Sequence, residues 1–225
     1  MRPLALGLSL ALLAACAPAP PPAGGVLAIG DSVMAWNGAR GIPEVAVAAL
    51  GQSLRDASRS GAKLVQPSGA LSLAGFDIGR QWRRNAGAWE WVLLSGGGND
   101  LRGLCRTPAE AGALDALVDD DLRGALPALV ARIRAAGARV ALLGYYDAAA
   151  AAPTAFTPCQ GAFDRMNVRL ARLAARDGGV VFLDAGTVID RRDLALYDPD
   201  RIHPSPRGAR RIGAALAARM AAAGR

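Results

Sequence analysis

The chain has 225 residues, 52% of them hydrophobic, with a mean hydropathy of +0.21. That gives room for one α/β domain with a sizeable core and excludes a wholly disordered chain. The net charge of +7 arises from 26 basic and 19 acidic residues, yet Lys63 is the only lysine and the arginines are scattered, so no nucleic-acid stripe and no nucleic-acid partner are expected. With one histidine and three cysteines there is little to build a zinc site, and any mechanism that needs an imidazole has only His203.

In chain order, Arg2 supplies a short positive region and residues 4–15 an apolar run too short to span a bilayer as a mature helix. The run ends in Leu13-Ala14-Ala15-Cys16, which resembles the lipobox of bacterial lipoproteins. The resemblance implies cleavage before Cys16, lipid on its sulfur, and a mature chain anchored to a membrane without crossing it. The plainer alternative is an ordinary secretory signal that happens to contain a cysteine. Residue 17 is alanine rather than aspartate, which by the lipoprotein sorting pattern implies the periplasmic side of an outer membrane. Residues 17–25 are all Ala, Pro or Gly and read as an extended tether. The expected organisation is a signal peptide over 1–15, a lipidated cysteine with its tether over 16–25, and one domain over 26–225.

From there, short apolar runs alternate with longer amphipathic ones. Val26–Ile29, Trp91–Leu94, Arg139–Leu143 and Val180–Leu183 read as strands buried on both faces, and residues 63–65 (Lys-Leu-Val) as a weaker fifth. Helices are expected over residues 43–57, 109–136, 163–175 and from Pro206 to the C-terminus. Leu126, Leu129, Ile133 and Ala136 form an apolar stripe on the second of these. Ser205 is a plausible N-cap for the last, with Pro206 at its first position. Such alternation predicts a parallel sheet covered by helices on both faces, with functional loops beyond the carboxyl ends of the strands.

Three motifs fall in such loops. Gly30-Asp31-Ser32 follows the first strand directly, where a glycine permits the tight turn and a serine presents its hydroxyl at the sheet edge. Gly96-Gly97-Gly98-Asn99-Asp100 follows Trp91–Leu94, and the Asn99 amide can donate two hydrogen bonds into a cleft. Asp200-Arg201-Ile202-His203-Pro204 precedes the last helix, where Asp200 can accept from the imidazole Nδ1 and leave Nε2 free as a base. Taken singly, each is a common loop sequence.

Together, in this order, they resemble the blocks of the SGNH, or GDSL, hydrolase superfamily, over residues 26–225. The resemblance implies a three-layer α/β/α sandwich with a parallel, flavodoxin-like sheet of about five strands. It makes Ser32 the nucleophile, Asp200 and His203 the other triad members, and Ser32 N–H and Asn99 oxyanion donors. The family's second block is a single oxyanion glycine; Gly61, in Ser60-Gly61-Ala62, is the better match and Gly79 the alternative. The chemistry implied is acyl transfer: His203 takes the Ser32 proton, the oxyanion donors meet the developing charge, and water releases the acyl group. It calls for no metal and no organic cofactor.

The function expected is a membrane-tethered serine esterase of the cell envelope acting on O-acyl esters, as a monomer. The alternatives are an O-acetyl esterase or transferase on envelope glycans and a non-catalytic ligand-binding lipoprotein on the same fold. An exported, oxidising location makes a Cys105–Cys159 disulfide the default, with two separate buried thiols as the competing reading. Asp31 and Asp100 are expected to buttress loops through backbone hydrogen bonds, and residues 119–121 (Asp-Asp-Asp) to lie on an exposed helix face. Trp36 lines a pocket or packs on a neighbouring helix; Trp82, Trp89 and Trp91 read as packing residues.

Overall fold

A computed structural model describes residues 24–65 and 69–224. The expected signal peptide, Cys16 and nearly all of the tether lie outside the described residues. Five parallel strands, β1 (Val26–Ile29), β2 (Leu54–Asp56), β3 (Trp91–Leu94), β4 (Arg139–Leu143) and β5 (Val180–Leu183), form one sheet in the order β2-β1-β3-β4-β5. This is the flavodoxin-like order, which reverses beside β1 and opens a crevice at the carboxyl ends of β1 and β3. β1 and β3 are buried at every position. Their continuous apolar runs are what a doubly covered parallel sheet requires.

The helices are α1 (Ser32–Ala35), α2 (Ile42–Leu50), α3 (Ile78–Asn85), α4 (Gly98–Leu101), α5 (Glu110–Leu117), α6 (Ala125–Ala135), α7 (Gln160–Ala175) and α8 (Pro206–Ala223). Helices α2 and α8 pack on each other on one face of the sheet, and α3, α6 and α7 cover the other, giving three layers. A Cβ on Gly213 of α8 would lie 2.7 Å from Val45, so the two backbones approach as closely as only glycine permits. Ser205 caps α8, its Oγ accepting from the Gly208 N–H at 3.2 Å, as its sequence position predicts. Trp82, Trp89 and Trp91 are buried packing residues, also as expected.

Four expectations need correction. Residues 63–65 are not the fifth strand: Lys63 makes only an isolated bridge to Asp77, and the Leu64 and Val65 N–H groups go to a side chain instead of a ladder. The fifth strand is β2, a half-exposed edge strand of sequence Leu-Arg-Asp. Helix α2 therefore stops at Leu50, where Gly51 takes the left-handed conformation (φ 65°), rather than running to residue 57. The long helix expected over 109–136 is two helices. The break is enforced at Gly124 (φ 121°), where a Cβ would lie 2.7 Å from the Leu117 carbonyl oxygen. Asp119, Asp120 and Asp121 lie in that break and not on a helix face; Asp120 pairs with Arg169 of α7 at 2.9 Å.

Candidate active site

The turn out of β1 is held by groups that leave no room for a side chain at Gly30. Its φ is 150°, and a Cβ there would lie 2.5 Å from the Ser95 carbonyl oxygen. Gln81 of α3, almost fully buried, accepts from the Gly30 N–H at 2.7 Å and donates to the Gly30 carbonyl at 3.1 Å. Ser32 follows as the first residue of α1, where backbone N–H groups have no intrahelical acceptor. Asp31 caps this helix through the Val33 N–H at 3.0 Å.

Asp31 is 1% exposed, and its second carboxylate oxygen accepts from the Tyr145 hydroxyl. The Tyr145 oxygen in turn accepts from the Gly98 N–H at 2.8 Å. One phenol therefore ties the Gly-Asp-Ser turn to the glycine block after β3. Burial pushes the Asp31 carboxyl above the ordinary carboxylate value, opposed by the hydrogen bonds from Tyr145 and Val33 and by His203 nearby. Burial also pushes the Tyr145 hydroxyl well above its ordinary value, assisted by the Asp31 charge. The Gly98 position is crowded by this phenol, which a Cβ would approach to 2.7 Å.

The Asn99 Nδ2 donates to the Ala62 carbonyl at 3.1 Å. Asp100 accepts from the Val65 N–H at 2.8 Å and the Leu64 N–H at 3.1 Å, and burial raises its carboxyl to about 6. Both aspartates beside the candidate catalytic positions thus hold loops through backbone groups, as expected. The 57–62 loop runs beside the first motif, with the Arg59 N–H donating to the Gly30 carbonyl at 3.0 Å. Gly61 adjoins the Ala62 that Asn99 holds, whereas Gly79 is the second residue of α3 and faces Asp77 and Arg83.

At the last motif, Asp200 accepts from His203 Nδ1 at 2.5 Å and from the backbone N–H groups of Ile202 and His203, each at 3.0 Å. Partial burial would raise this carboxyl, but these hydrogen bonds outweigh it and hold Asp200 below the ordinary carboxylate value. The tight turn needs Arg201 in the left-handed region (φ 61°).

Ser32, Asn99 and His203 line one cavity of about 30 Å³, walled by Val33, Ala148, Phe156, Phe163 and Ile202, with Tyr145 and Tyr146 also in the lining. A larger groove of about 560 Å³ lies over the ends of β4 and β5. It contains none of Ser32, Asn99 or His203 and carries Asp147, Asp164, Asp184 and Arg191 on its walls. The chemistry-bearing groups select the smaller cavity. Cys105 and Cys159 form a disulfide (Cα–Cα 5.0 Å) joining the stretch after α4, the helix that carries Asn99, to the start of α7.

The sequence reading did not flag Gln81, Tyr145 or Tyr146. The two tyrosines follow β4 directly after Gly144, so the rule that functional loops follow strands could have found them. Gln81 sits in a polar helix and gave no signal.

This fold and the loops at its sheet edge define an SGNH-type hydrolase. The chain belongs to the GDSL-like lipase/acylhydrolase family, whose sequence profile matches residues 28–211, and is accordingly a carboxylic ester hydrolase. Among solved structures it is similar to an SGNH hydrolase-assigned protein from Slackia heliotrinireducens, at 23% identity and TM-score 0.60, covering 88% of this chain and 99% of that one. A carbohydrate esterase family 2 enzyme from Corynascus (Myceliophthora fergusii) gives 20% identity and TM-score 0.62 over 91% of this chain and 68% of that one. An acetylxylan esterase from Geobacillus stearothermophilus, in a catalytic-mutant form, gives 18% identity and TM-score 0.61 over 88% and 95%. At these identities the likeness is one of fold. No curated protein matches the sequence.

Proposed function

We propose that this protein is a serine esterase of the bacterial cell envelope that hydrolyses carboxylic O-acyl esters. The observation that carries the reading is the convergence of Ser32, Asn99 and His203 on one small cavity, with Asp200 on the imidazole Nδ1. In this reading Asp200 fixes the tautomer, and His203 Nε2 takes the proton as Ser32 Oγ attacks the ester carbonyl. The oxyanion is met by the N–H groups of Ser32 and Gly61 and by the Asn99 amide. Collapse expels the alcohol, protonated by His203. Water, activated by the same imidazole, then attacks the acyl-Ser32 carbonyl, and Ser32 leaves with the proton. Gly61 is preferred to Gly79 because its loop is tied to Asn99 through Ala62.

The acetyl-ester activity named for the Geobacillus neighbour is of the same reaction class but does not carry the reading. The test is hydrolysis of a p-nitrophenyl ester series from acetate to palmitate beside O-acetylated glycans, by wild type and by Ser32→Ala. Turnover by wild type that is lost in the variant supports the reading; no turnover of any ester by folded wild type refutes it in favour of a binding lipoprotein. The envelope placement rests on Leu13 to Cys16: acyl-labelling of wild type and not of Cys16→Ser supports it, and an unlabelled, freely soluble wild type removes it.

A further inference from the structure

Trp36 lies four residues beyond Ser32, in extended backbone at the end of α1. It is absent from the cavity lining. Its indole ring stacks on the His203 imidazole, with centroids 3.8 Å apart and planes inclined by 11°. The indole Nε1–H donates to Asp198 Oδ2 at 2.5 Å. Asp198 is itself fixed to the histidine loop, its N–H donating to the His203 carbonyl at 2.9 Å and its carbonyl accepting from the Arg201 N–H at 2.8 Å. The neighbouring Asn37 donates through Nδ2 to the Pro204 carbonyl at 2.8 Å. The segment bearing the nucleophile therefore grips the loop bearing the imidazole at three points, on a ring face, at a carboxylate and at a backbone carbonyl.

A single hydrogen bond from Nδ1 to Asp200 fixes one edge of the imidazole and leaves the ring free to tilt about that contact. Stacking on its face removes this freedom. We infer that Trp36 is a positioning residue for acyl transfer, holding the His203 ring plane so that Nε2 faces Ser32. Proton uptake from Ser32 makes the ring cationic, and an aromatic face within a few ångströms attracts such a charge. The Asp198 carboxylate anchors the indole so that it cannot swing away. The inference rests on His203 being the base of the proposed reaction.

The experiment uses the full-length protein, in which the lone histidine gives one unambiguous set of imidazole ring-proton NMR signals. In wild type these signals are expected upfield of a free imidazole through the indole ring current. Trp36→Leu should move them to ordinary positions and lower kcat on p-nitrophenyl acetate by about 10²-fold, the loss typical when a reacting group is displaced by an ångström. KM should stay within about twofold, because Trp36 lies outside the cavity. Trp36→Phe, which keeps a stacking face, should recover most of the lost kcat. Wild-type signals at ordinary positions overturn the inference without recourse to any variant, as does unchanged kcat in a folded Trp36→Leu. Equal loss in the Phe and Leu variants also overturns it, assigning the effect to the hydrogen bond with Asp198. Full activity in His203→Ala would instead overturn the triad reading beneath it, a separable result.

Discussion

Replacing Tyr145 by phenylalanine removes one oxygen atom and tests how the two motif loops are joined. In the wild type that oxygen donates to Asp31 and accepts from the Gly98 N–H at 2.8 Å, and Tyr145 is 7% exposed. The Phe163 ring stacks on the phenol at 4.7 Å between centroids, so the phenylalanine variant keeps the ring packing and loses only the oxygen. Loss of the acceptor strands a buried N–H, at about 1–3 kcal/mol, and loss of the donor weakens a buried carboxylate that keeps the Val33 N–H, at about 1.5–3 kcal/mol. Asp31 can lessen the second cost by binding a proton, because burial already raises its pKa. The sum is about 2–5 kcal/mol, or roughly 4–20 °C in Tm for a domain of this size. Urea unfolding followed by far-UV circular dichroism should show the midpoint falling at constant slope. A double-mutant cycle with Asp31→Asn should return a coupling well above about 0.5 kcal/mol. A Tyr145→Phe variant within about 0.5 kcal/mol of wild type, or an additive cycle, would refute the argument that this phenol joins the loops.

Other outcomes are expected. Asn99→Ala should lower kcat by about 10²–10³ with the fold retained, measured by steady-state hydrolysis beside circular dichroism, as for loss of one oxyanion donor. Replacing Cys105 and Cys159 by serine should cost about 2–4 kcal/mol, given a sequence separation of 54, while thiol labelling of unfolded, non-reduced wild type should find neither cysteine free. Asp100, raised from 3.8 to about 6 in the fold, binds more protons folded than unfolded between those values. Its contribution to stability is therefore full below about pH 4 and is lost as pH rises through about 6; Asp100→Asn should flatten that part of a stability profile measured by urea melts. Asp200 runs the other way: its depressed pKa adds stability that is present above its ordinary value and lost as pH falls through the folded one.

The legible parts of the molecule were those that local sequence must satisfy by itself. β1, β3 and nearly all of β4 are buried and so had to be written as apolar runs; β5 keeps an apolar run although it is an edge strand with Val181 and Phe182 only partly buried; and the Ser205–Pro206 start of α8 follows from capping chemistry. The motif residues were legible because each follows a strand or precedes a helix. β2 was not, because an edge strand with Arg55 and Asp56 exposed carries no hydrophobic signature. Helix α3 was hidden for a similar reason, since a run of Gly-Arg-Gln-Trp-Arg-Arg-Asn reads as a polar loop. The Gln81 clamp, the Tyr145 link and the Trp36 stack join residues 51, 114 and more than 160 positions apart, pairings that no local pattern encodes.

That last distance bears on how the protein is made. The contacts between Trp36 and Asp198 and between Asn37 and Pro204 span 162 and 167 residues, and α2 docks on α8 at the close approach of Val45 to Gly213. A growing chain thus carries its serine turn more than 160 residues before it receives the matching histidine loop. Until these contacts close, the grip of Trp36 and Asn37 on the histidine loop is absent, and on the proposed mechanism the imidazole is not yet held for acyl transfer. Closing so long a loop makes for slow maturation, and on the proposed mechanism activity then reports that the turn after the first strand and the loop before α8 have met.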